Sequence, residues 1–193
     1  MGKLRELYRE IILADLFRYE ESTNFKIFLK AYFISHLGFR LSFWLRIANY
    51  FYSNQNIILY KLFRLYYKRK TRKFGVDIPC ETKIGPGLYM PHPIGIVING
   101  ESTIGCNCNI HQSVTIGESP RGKYKGNPTF GSNIYIGPGA KIFGKINIGD
   151  FVAIGANCVV NKSVEESAVV IGIPFKVVSY NGSHDYVKRF RQT

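Results

Sequence analysis

Residues 130–160 read FGSNIYIGPGAKIFGKINIGDFVAIGANCVV, in which a large apolar residue returns at every sixth position. The same register extends upstream to Ile78 with two interruptions, and ten of its thirteen positions are isoleucine. Internal repetition of this kind indicates a structural unit of six residues that is stacked many times. The repeat positions are Ile78, Ile84, Met90, Ile98, Ile104, Ile110, Ile116, Phe130, Ile136, Ile142, Ile148, Ile154 and Val160.

Each hexad predicts one short β-strand, because side chains along a strand alternate between two faces and the apolar one turns inward. Glycine and asparagine between the strands accept the positive φ of tight corners. Three hexads complete one turn of a three-sided coil, so the register predicts a parallel β-solenoid of a little over four coils. The periodicity alone does not fix the handedness of the coil.

The first 75 residues have a different texture, with few glycines or prolines and with apolar residues three and four positions apart. This spacing is typical of α-helices. We therefore predict a mainly β fold with a helical N-terminal part. Its three regions are an α-helical region at 1–75, a β-helix domain at 76–178 and a C-terminal tail at 179–193.

The net charge of +13 is concentrated in the helical part, where residues 1–75 hold fifteen Lys and Arg against five Asp and Glu. A basic surface attracts nucleic acid, anionic membranes or acidic polymers. No nucleic-acid-binding motif is present, so we do not expect a nucleic-acid partner. No secretory signal or uninterrupted apolar span is present, and the four cysteines are expected to be free thiols. The cytoplasm is the expected location.

Residues 56–74 combine apolar side chains with Lys61, Arg64 and Lys68 in one predicted amphipathic helix. Two interpretations remain open for it. Its apolar side can pack on the rest of its own domain, which we favour, or it can lie peripherally on the inner face of a membrane.

Two interruptions break the hexad register. Two extra residues lie between Met90 and Ile98, around His92, and a longer insertion separates Ile116 from Phe130. Loops that protrude from a regular scaffold frequently carry its chemistry. These two segments are therefore the first places to look for a functional site.

Together, these residues resemble the serine acetyltransferase-like hexapeptide acyltransferases. The resemblance covers roughly residues 75–180 and extends weakly upstream through His36-Leu37-Gly38-Phe39 and Trp44-Leu45-Arg46-Ile47-Ala48. It is carried by the hexads and four local motifs. These are Asp77-Ile78-Pro79, Pro91-His92-Pro93-Ile94-Gly95-Ile96-Val97, Gln112-Ser113-Val114-Thr115-Ile116-Gly117 and Gly155-Ala156-Asn157-Cys158-Val159-Val160. The resemblance implies a left-handed parallel β-helix, a homotrimer and the use of acetyl-CoA.

The resemblance also implies site residues. His92 corresponds to the catalytic base, which takes a proton from an acceptor hydroxyl, and Asp77 to the carboxylate that orients it. The positions that correspond to CoA contacts are Pro138, Ala156, Asn161, Lys162 and Lys176.

The acceptor site departs from the family pattern, which places an acidic residue before the catalytic histidine and an Arg-His pair in the long loop. Here Pro91, Gly126 and Asn127 stand at those positions. A free amino acid needs charged partners for its ammonium and carboxylate groups. We therefore predict a carbohydrate acceptor, a sugar hydroxyl of a capsular or exopolysaccharide or its precursor, contacted by Pro91 and Asn127.

Three alternatives remain. The first is a serine O-acetyltransferase of cysteine biosynthesis, and the second is a non-catalytic β-helix scaffold at a membrane surface. The third is a zinc enzyme that uses His92 and His111, but zinc catalysis needs about three protein ligands. The two further histidines, His36 and His184, lie far away in sequence, so we expect no metal.

Overall fold

A computed structural model describes residues 2–189 of the chain. Residues 190–193 of the predicted C-terminal tail lie outside the described part. The N-terminal region forms four α-helices and one short π-helix, so its predicted helical character is confirmed. They are α1 (Gly2–Glu20), α2 (Phe25–Lys30), the π-helix (Ala31–Ser35), α3 (Leu37–Ser53) and α4 (Ile57–Arg72).

Asparagine side chains begin two of these helices. Asn24 accepts a hydrogen bond from the Ile27 backbone N–H, and Asn56 accepts one from the Leu59 N–H. An N-cap side chain of this kind satisfies a backbone donor that the first helical turn leaves without a partner. In the described part of the chain, no helix is long and apolar enough to cross a membrane.

Thirteen strands follow in residues 83–179, and each has two to four residues. They are β1 (Lys83–Ile84), β2 (Val97–Ile98), β3 (Thr103–Ile104), β4 (Asn109–Ile110), β5 (Thr115–Gly117), β6 (Thr129–Phe130), β7 (Tyr135–Ile136), β8 (Lys141–Phe143), β9 (Asn147–Ile148), β10 (Ala153–Ile154), β11 (Val159–Val160), β12 (Val169–Ile171) and β13 (Lys176–Ser179).

The strands form the three sides of a prism. The sheet orders are β1-β3-β6-β9, β2-β5-β8-β11 and β4-β7-β10-β12-β13. All neighbours are parallel except β12 and β13, which form an antiparallel hairpin at the C-terminal end. From β2 to β11 every third strand stacks on its predecessor, as the hexad register predicts. At the two ends, where some hexads form only single bridges, β3 stacks on β1 and β12 on β10.

The repeat positions fill the interior of the prism. In one sheet Ile98 pairs with Ile116 and Ile116 with Ile142, and these side chains are fully buried. One set of corners contains residues with positive φ, and there the Asn107 side-chain amide donates to the Asn133 side chain at 3.1 Å. Short asparagine side chains tolerate this backbone conformation and also bond locally.

The helices close the N-terminal end of the prism. Leu41, Leu45 and Tyr67 belong to the same buried cluster as Ile78 and the other repeat residues. Because the core runs without a break from the helices into the coils, the two parts pack as one unit. The exact boundaries of the three predicted regions stay predictions.

A buried ion pair joins α1 and α3 to the first coil. The Asp15 carboxylate accepts from Arg46 Nε at 3.0 Å and Nη2 at 3.1 Å, and from the backbone N–H groups of Gly87 and Leu88 at 2.9 Å each. Arg46 also donates to the carbonyls of Ile84 and Gly85. The charges are therefore compensated on all sides, which a buried pair requires.

Candidate functional site

His92 lies in the turn between Met90 and β2, at one corner of the prism. The turn is held by its backbone: the Ile94 N–H donates to the His92 carbonyl, and Ser113 of the next coil donates to the Ile94 carbonyl, both at 2.8 Å. Gly95, with φ of +64°, completes the turn. The two extra residues seen in sequence thus form a protruding corner that leaves the His92 side chain exposed.

A pocket of about 490 Å³ opens beside His92. One wall is the turn itself, with Pro91, and the other comes from the helical region. The lining residues are Tyr19, Ser35, His36, Leu37, Tyr89, Pro91, His92, Pro93 and Ile94. The helices therefore complete the pocket as well as closing the coil.

His36 brings a second imidazole to this pocket, and it is paired with a carboxylate. Its Nε2 lies 2.9 Å from Glu20 Oε1, and Lys30 Nζ also approaches Glu20 at 3.3 Å. Burial alone would raise the pKa of the Glu20 carboxyl, but the hydrogen bonds from His36 and Lys30 lower it below its usual value. Of these three residues His36 lines the pocket, and Glu20 and Lys30 lie behind it.

Tyr19 fixes the helical wall against the His92 turn. Its hydroxyl accepts from the Met90 N–H at 2.9 Å, and its ring lies 5.1 Å from that of His36. Burial raises the pKa of the Tyr19 phenol, so the group remains a neutral donor and acceptor. Gly38 allows the close approach, because a Cβ there would lie 1.9 Å from the Met90 carbonyl oxygen.

His111 lies close to His92, on the adjacent coil. Burial, and secondarily the charge of His92, lower the pKa of His111, and its ring packs 5.0 Å from Tyr135. Within residues 2–189 no group of three or more His, Cys, Asp or Glu side chains is arranged to hold a metal ion.

Asp77 lies on a flat side of the prism, where it pairs with Val97 through its backbone. Its N–H donates to Ile96 at 2.8 Å and its carbonyl accepts from Ile98 at 2.9 Å, while its side chain is exposed. In the part of the chain that the structure describes, no hydrogen bond joins Asp77 to His92. The orienting role of Asp77 stays a prediction.

Two of the five predicted CoA contacts lie on the His92 corner. The backbone N–H of Ser113 donates to the Ile94 carbonyl. In the same way, the Gly139 N–H donates to the Gln112 carbonyl at 2.9 Å, and the Asn157 N–H donates to the Pro138 carbonyl at 2.8 Å. The backbone thus stacks the His92 turn, Gln112, Pro138 and Ala156 along one edge, one coil apart. Gln112 Oε1 is buried without a hydrogen-bond partner in the described chain. This atom is therefore available to accept a hydrogen bond from a ligand lying along the edge.

The remaining predicted contacts lie elsewhere. Asn161 and Lys162 follow β11 and occupy the next corner of the prism, separated from Ala156 by the width of a sheet. Lys176 is exposed on β13, opposite Ile171. Asn127 is also on the second corner, where its amide donates to Glu101 at 3.0 Å. Within one chain, Pro91 but not Asn127 adjoins His92.

Sequence reasoning missed His36, Glu20, Tyr19 and Gln112 as site residues. Gln112 could have been suspected, because it stands in a quoted family motif one coil below His92. His36 opens the segment His36-Leu37-Gly38-Phe39, through which the family resemblance extends weakly upstream, but nothing in that segment assigns a role to its side chain. Its meaning depends on how the helices dock, which periodicity does not report.

Comparison with known proteins identifies the relatives of this chain. A serine acetyltransferase of Synechococcus elongatus is 33% identical over 145 residues, covering 75% of this chain and 58% of the relative. A serine acetyltransferase of Staphylococcus aureus is 42% identical over 108 residues, covering 56% and 51%. The chain therefore spans little more than half the length of these relatives. No family model matches the sequence.

The solved structures that superpose on this chain are also serine acetyltransferases. The Neisseria gonorrhoeae serine acetyltransferase in complex with serine superposes with a TM-score of 0.73 at 29% identity, covering 90% of this chain and 70% of that one. A serine acetyltransferase in complex with CoA superposes with a TM-score of 0.71 at 30% identity, covering 92% of this chain and 73% of that one. The predicted left-handed parallel β-helix is confirmed.

These findings correct the predicted acceptor. The relatives are consistently serine acetyltransferases, so the prediction of a carbohydrate acceptor in a capsular or exopolysaccharide is wrong. That prediction rested on Pro91, Gly126 and Asn127 and overlooked His36, which the helices bring to the pocket. The chain belongs to the serine acetyltransferase-like family of hexapeptide-repeat acyltransferases.

Proposed function

We propose that this chain is an O-acetyltransferase that transfers the acetyl group of acetyl-CoA to the hydroxyl of serine. One observation carries the proposal: the pocket beside the exposed His92 side chain also contains His36, paired with Glu20. A zwitterionic amino acid needs partners of both signs. The family pattern supplies them from positions 91, 126 and 127, whereas here the helical wall does so.

His92 acts as the general base. A serine hydroxyl is a weak nucleophile at neutral pH, and an imidazole within hydrogen-bond reach removes its proton as the oxygen attacks the thioester carbonyl. The C–S bond then breaks, and the sulfur of CoA leaves with a proton returned from the imidazolium. Transfer is direct, within a complex that holds both substrates.

Acetyl-CoA lies along the edge formed by Gln112, Pro138 and Ala156, which leads from the last coils towards His92. Gln112 Oε1 accepts from a pantetheine amide, and the exposed Lys176 on β13, beyond the last coil, meets phosphate. Asn161 and Lys162 are on another corner, so they contact CoA only if it is bound between two chains. Because no hydrogen bond joins Asp77 to His92 in the described chain, the orienting role proposed for Asp77 requires the two side chains to come together when the substrates bind.

The active unit is proposed to be a homotrimer. Within one chain, the long loop that contains Asn127 and the turn that contains His92 lie on different corners of the prism. A neighbouring chain packed against the flat side between them would bring one chain's loop to the other's histidine. A cytoplasmic location stays a prediction, and contact with a membrane is a separate proposal that rests on other residues.

The turnover of a His92 variant tests whether His92 is the general base. His92→Ala is expected to lower the release of CoA thiol in the presence of L-serine by roughly 100- to 10,000-fold. The matched control is His184→Ala, which removes an exposed histidine that stacks on Phe151 away from the pocket. Light scattering and thermal unfolding should be unchanged in both variants.

Near-normal turnover by His92→Ala would reject the assignment of the base. If the wild type releases no thiol with L-serine, the serine proposal fails. If it also turns over no other hydroxyl acceptor, the alternative of a non-catalytic scaffold gains support.

A further inference from the structure

Helix α4 carries apolar side chains on two opposite sides. Tyr67 is buried in the core and Phe63 packs against it, whereas Ile58, Leu62 and Leu65 are 81%, 58% and 58% exposed. Positions 58, 62 and 65 are spaced by four and three residues, so they form one stripe on the outer face. The sequence-based interpretation that the apolar side packs within its own domain therefore accounts for only half of this helix.

The exposed stripe is surrounded by positive charge. Arg69 and Arg72 continue it towards the C-terminal end of the helix, and Lys61 and Lys68 flank it; all four side chains are exposed. Residues 22–76 contain eleven Lys and Arg and no Asp or Glu. In one of the few contacts to an acidic group, Arg64 lies 3.8 Å from Glu81 of the first coil.

A groove beside the stripe is also lined by apolar and basic side chains. It has a volume of about 820 Å³ and lies between the π-helix, α3 and α4. Its lining is aromatic and basic: Tyr32, Phe33, Leu37, Arg40, Leu41, Trp44, Tyr66, Arg69, Lys70, Lys73 and Phe74. Phe33 and the adjacent Ile34 are 67% and 84% exposed, so the rim of the groove extends the apolar surface.

The partner of this surface must offer both apolar groups and negative charge. A second copy of the same face would bring Lys61, Lys68, Arg69 and Arg72 against the same four cations, which disfavours self-association. The surface of an anionic phospholipid bilayer offers acyl chains beneath a layer of phosphates. Basic amphipathic helices with large apolar residues lie in this layer, parallel to the membrane plane.

We propose that α4 docks on the surface of an anionic phospholipid bilayer. Ile58, Leu62 and Leu65 enter the boundary of the acyl chains, and the groove lined by Arg40, Arg69, Lys70 and Lys73 binds phosphate headgroups. The stripe lies opposite the buried face of α4, so docking requires no rearrangement of the core. The α4 stripe is separate from the His92 pocket, while the groove beside it adjoins that pocket at Leu37. The proposal does not depend on the identity of the acceptor.

Co-sedimentation with vesicles tests the proposal. The wild-type chain is expected to sediment with vesicles of mixed phosphatidylcholine and phosphatidylglycerol, to remain in solution with phosphatidylcholine alone, and to dissociate as salt is raised. The double variant Leu62→Ser, Leu65→Ser should bind at least 10-fold more weakly. The matched control is Ile173→Ser, Val178→Ser, which removes two exposed apolar side chains at the opposite end of the molecule.

All substituted side chains are exposed, so thermal unfolding and turnover without vesicles should match the wild type. Failure of the wild type to sediment with anionic vesicles overturns the proposal. So does a result in which the Leu62/Leu65 variant keeps full vesicle binding but forms a smaller oligomer by light scattering, because the stripe is then an interface between copies of the chain.

Discussion

His36 is the residue that most changes the view of the acceptor pocket. It lies 56 positions before His92 in the sequence, yet both line one cavity, and Glu20 pairs with its ring at 2.9 Å. Because the contact between His36 and Glu20 is already formed in the free protein, it does not have to be assembled when a ligand arrives, which reduces the cost of binding. We therefore expect His36 to act on acceptor binding more than on the chemical step.

Replacing His36 should weaken the binding of serine but not that of acetyl-CoA. Loss of one charge-assisted hydrogen bond is worth about 1.5–3 kcal/mol, so His36→Ala is expected to raise the KM for serine by roughly 10- to 150-fold. The KM for acetyl-CoA should not change, because the Gln112, Pro138 and Ala156 edge is intact. Steady-state kinetics with each substrate varied in turn measure both values. An equal rise in the two would show a structural effect instead.

At the scale of elements, the contact between α1 and α3 depends on one buried ion pair. Asp15 is fully buried and receives four hydrogen bonds, two from Arg46 and two from the first coil. Removal of one partner leaves the other charge buried without compensation, which is far more costly than the pair is favourable. The docking of the helices, and with it the second wall of the pocket, should be sensitive to this position.

Asp15→Ala is accordingly expected to lower the free energy of unfolding by about 3–5 kcal/mol. The control on the same helix is Glu6→Ala, which removes an exposed i,i+3 pair with Arg9 at 3.2 Å. Exposed pairs of this kind contribute about 0–1 kcal/mol. Urea denaturation followed by circular dichroism measures both changes. Similar small losses in the two variants would show that the helices dock without the ion pair.

At the scale of the whole molecule, three thiols are buried in the hydrophobic cluster that runs from the helices through the coils. Burial raises the pKa of Cys80 and Cys108 to about 12 and that of Cys158 to about 11, from an ordinary value of 9.0. The neutral thiol is favoured in the fold, so the stability that these groups contribute is complete below pH 9. It is lost progressively as the pH rises towards 11 and 12.

Native protein should therefore expose one thiol out of four to a thiol reagent at pH 8. That thiol is the half-buried Cys106, and Cys106→Ser should abolish the rapid reaction. In urea, Cys80, Cys108 and Cys158 should become reactive together, because all three belong to one continuous cluster. Stepwise exposure, with Cys80 labelled well before Cys158, would show that the helical end opens independently of the coils.

The sequence determines the coils far better than it determines the site. Because one face of each hexad must be buried, the register of Ile98, Ile116 and Ile142 follows from spacing alone. His92 is also predictable, since it sits where the register breaks. The helical wall is not, because the docking of Tyr19 and His36 depends on tertiary contacts such as the approach of Gly38 to Met90. The wrong prediction of the acceptor arose because the position of the helical wall could not be predicted.

The hydrogen bonds of Arg46 and Asn49 to the carbonyls of Ile84, Gly85 and Cys80 have a further consequence. An uncovered first coil would offer an open row of backbone acceptors to the last coil of another molecule, a route to endless filaments. The helices occupy that row, and β13 terminates the sheet at the opposite end by running antiparallel. Both ends of the solenoid are therefore closed to the stacking of a further coil.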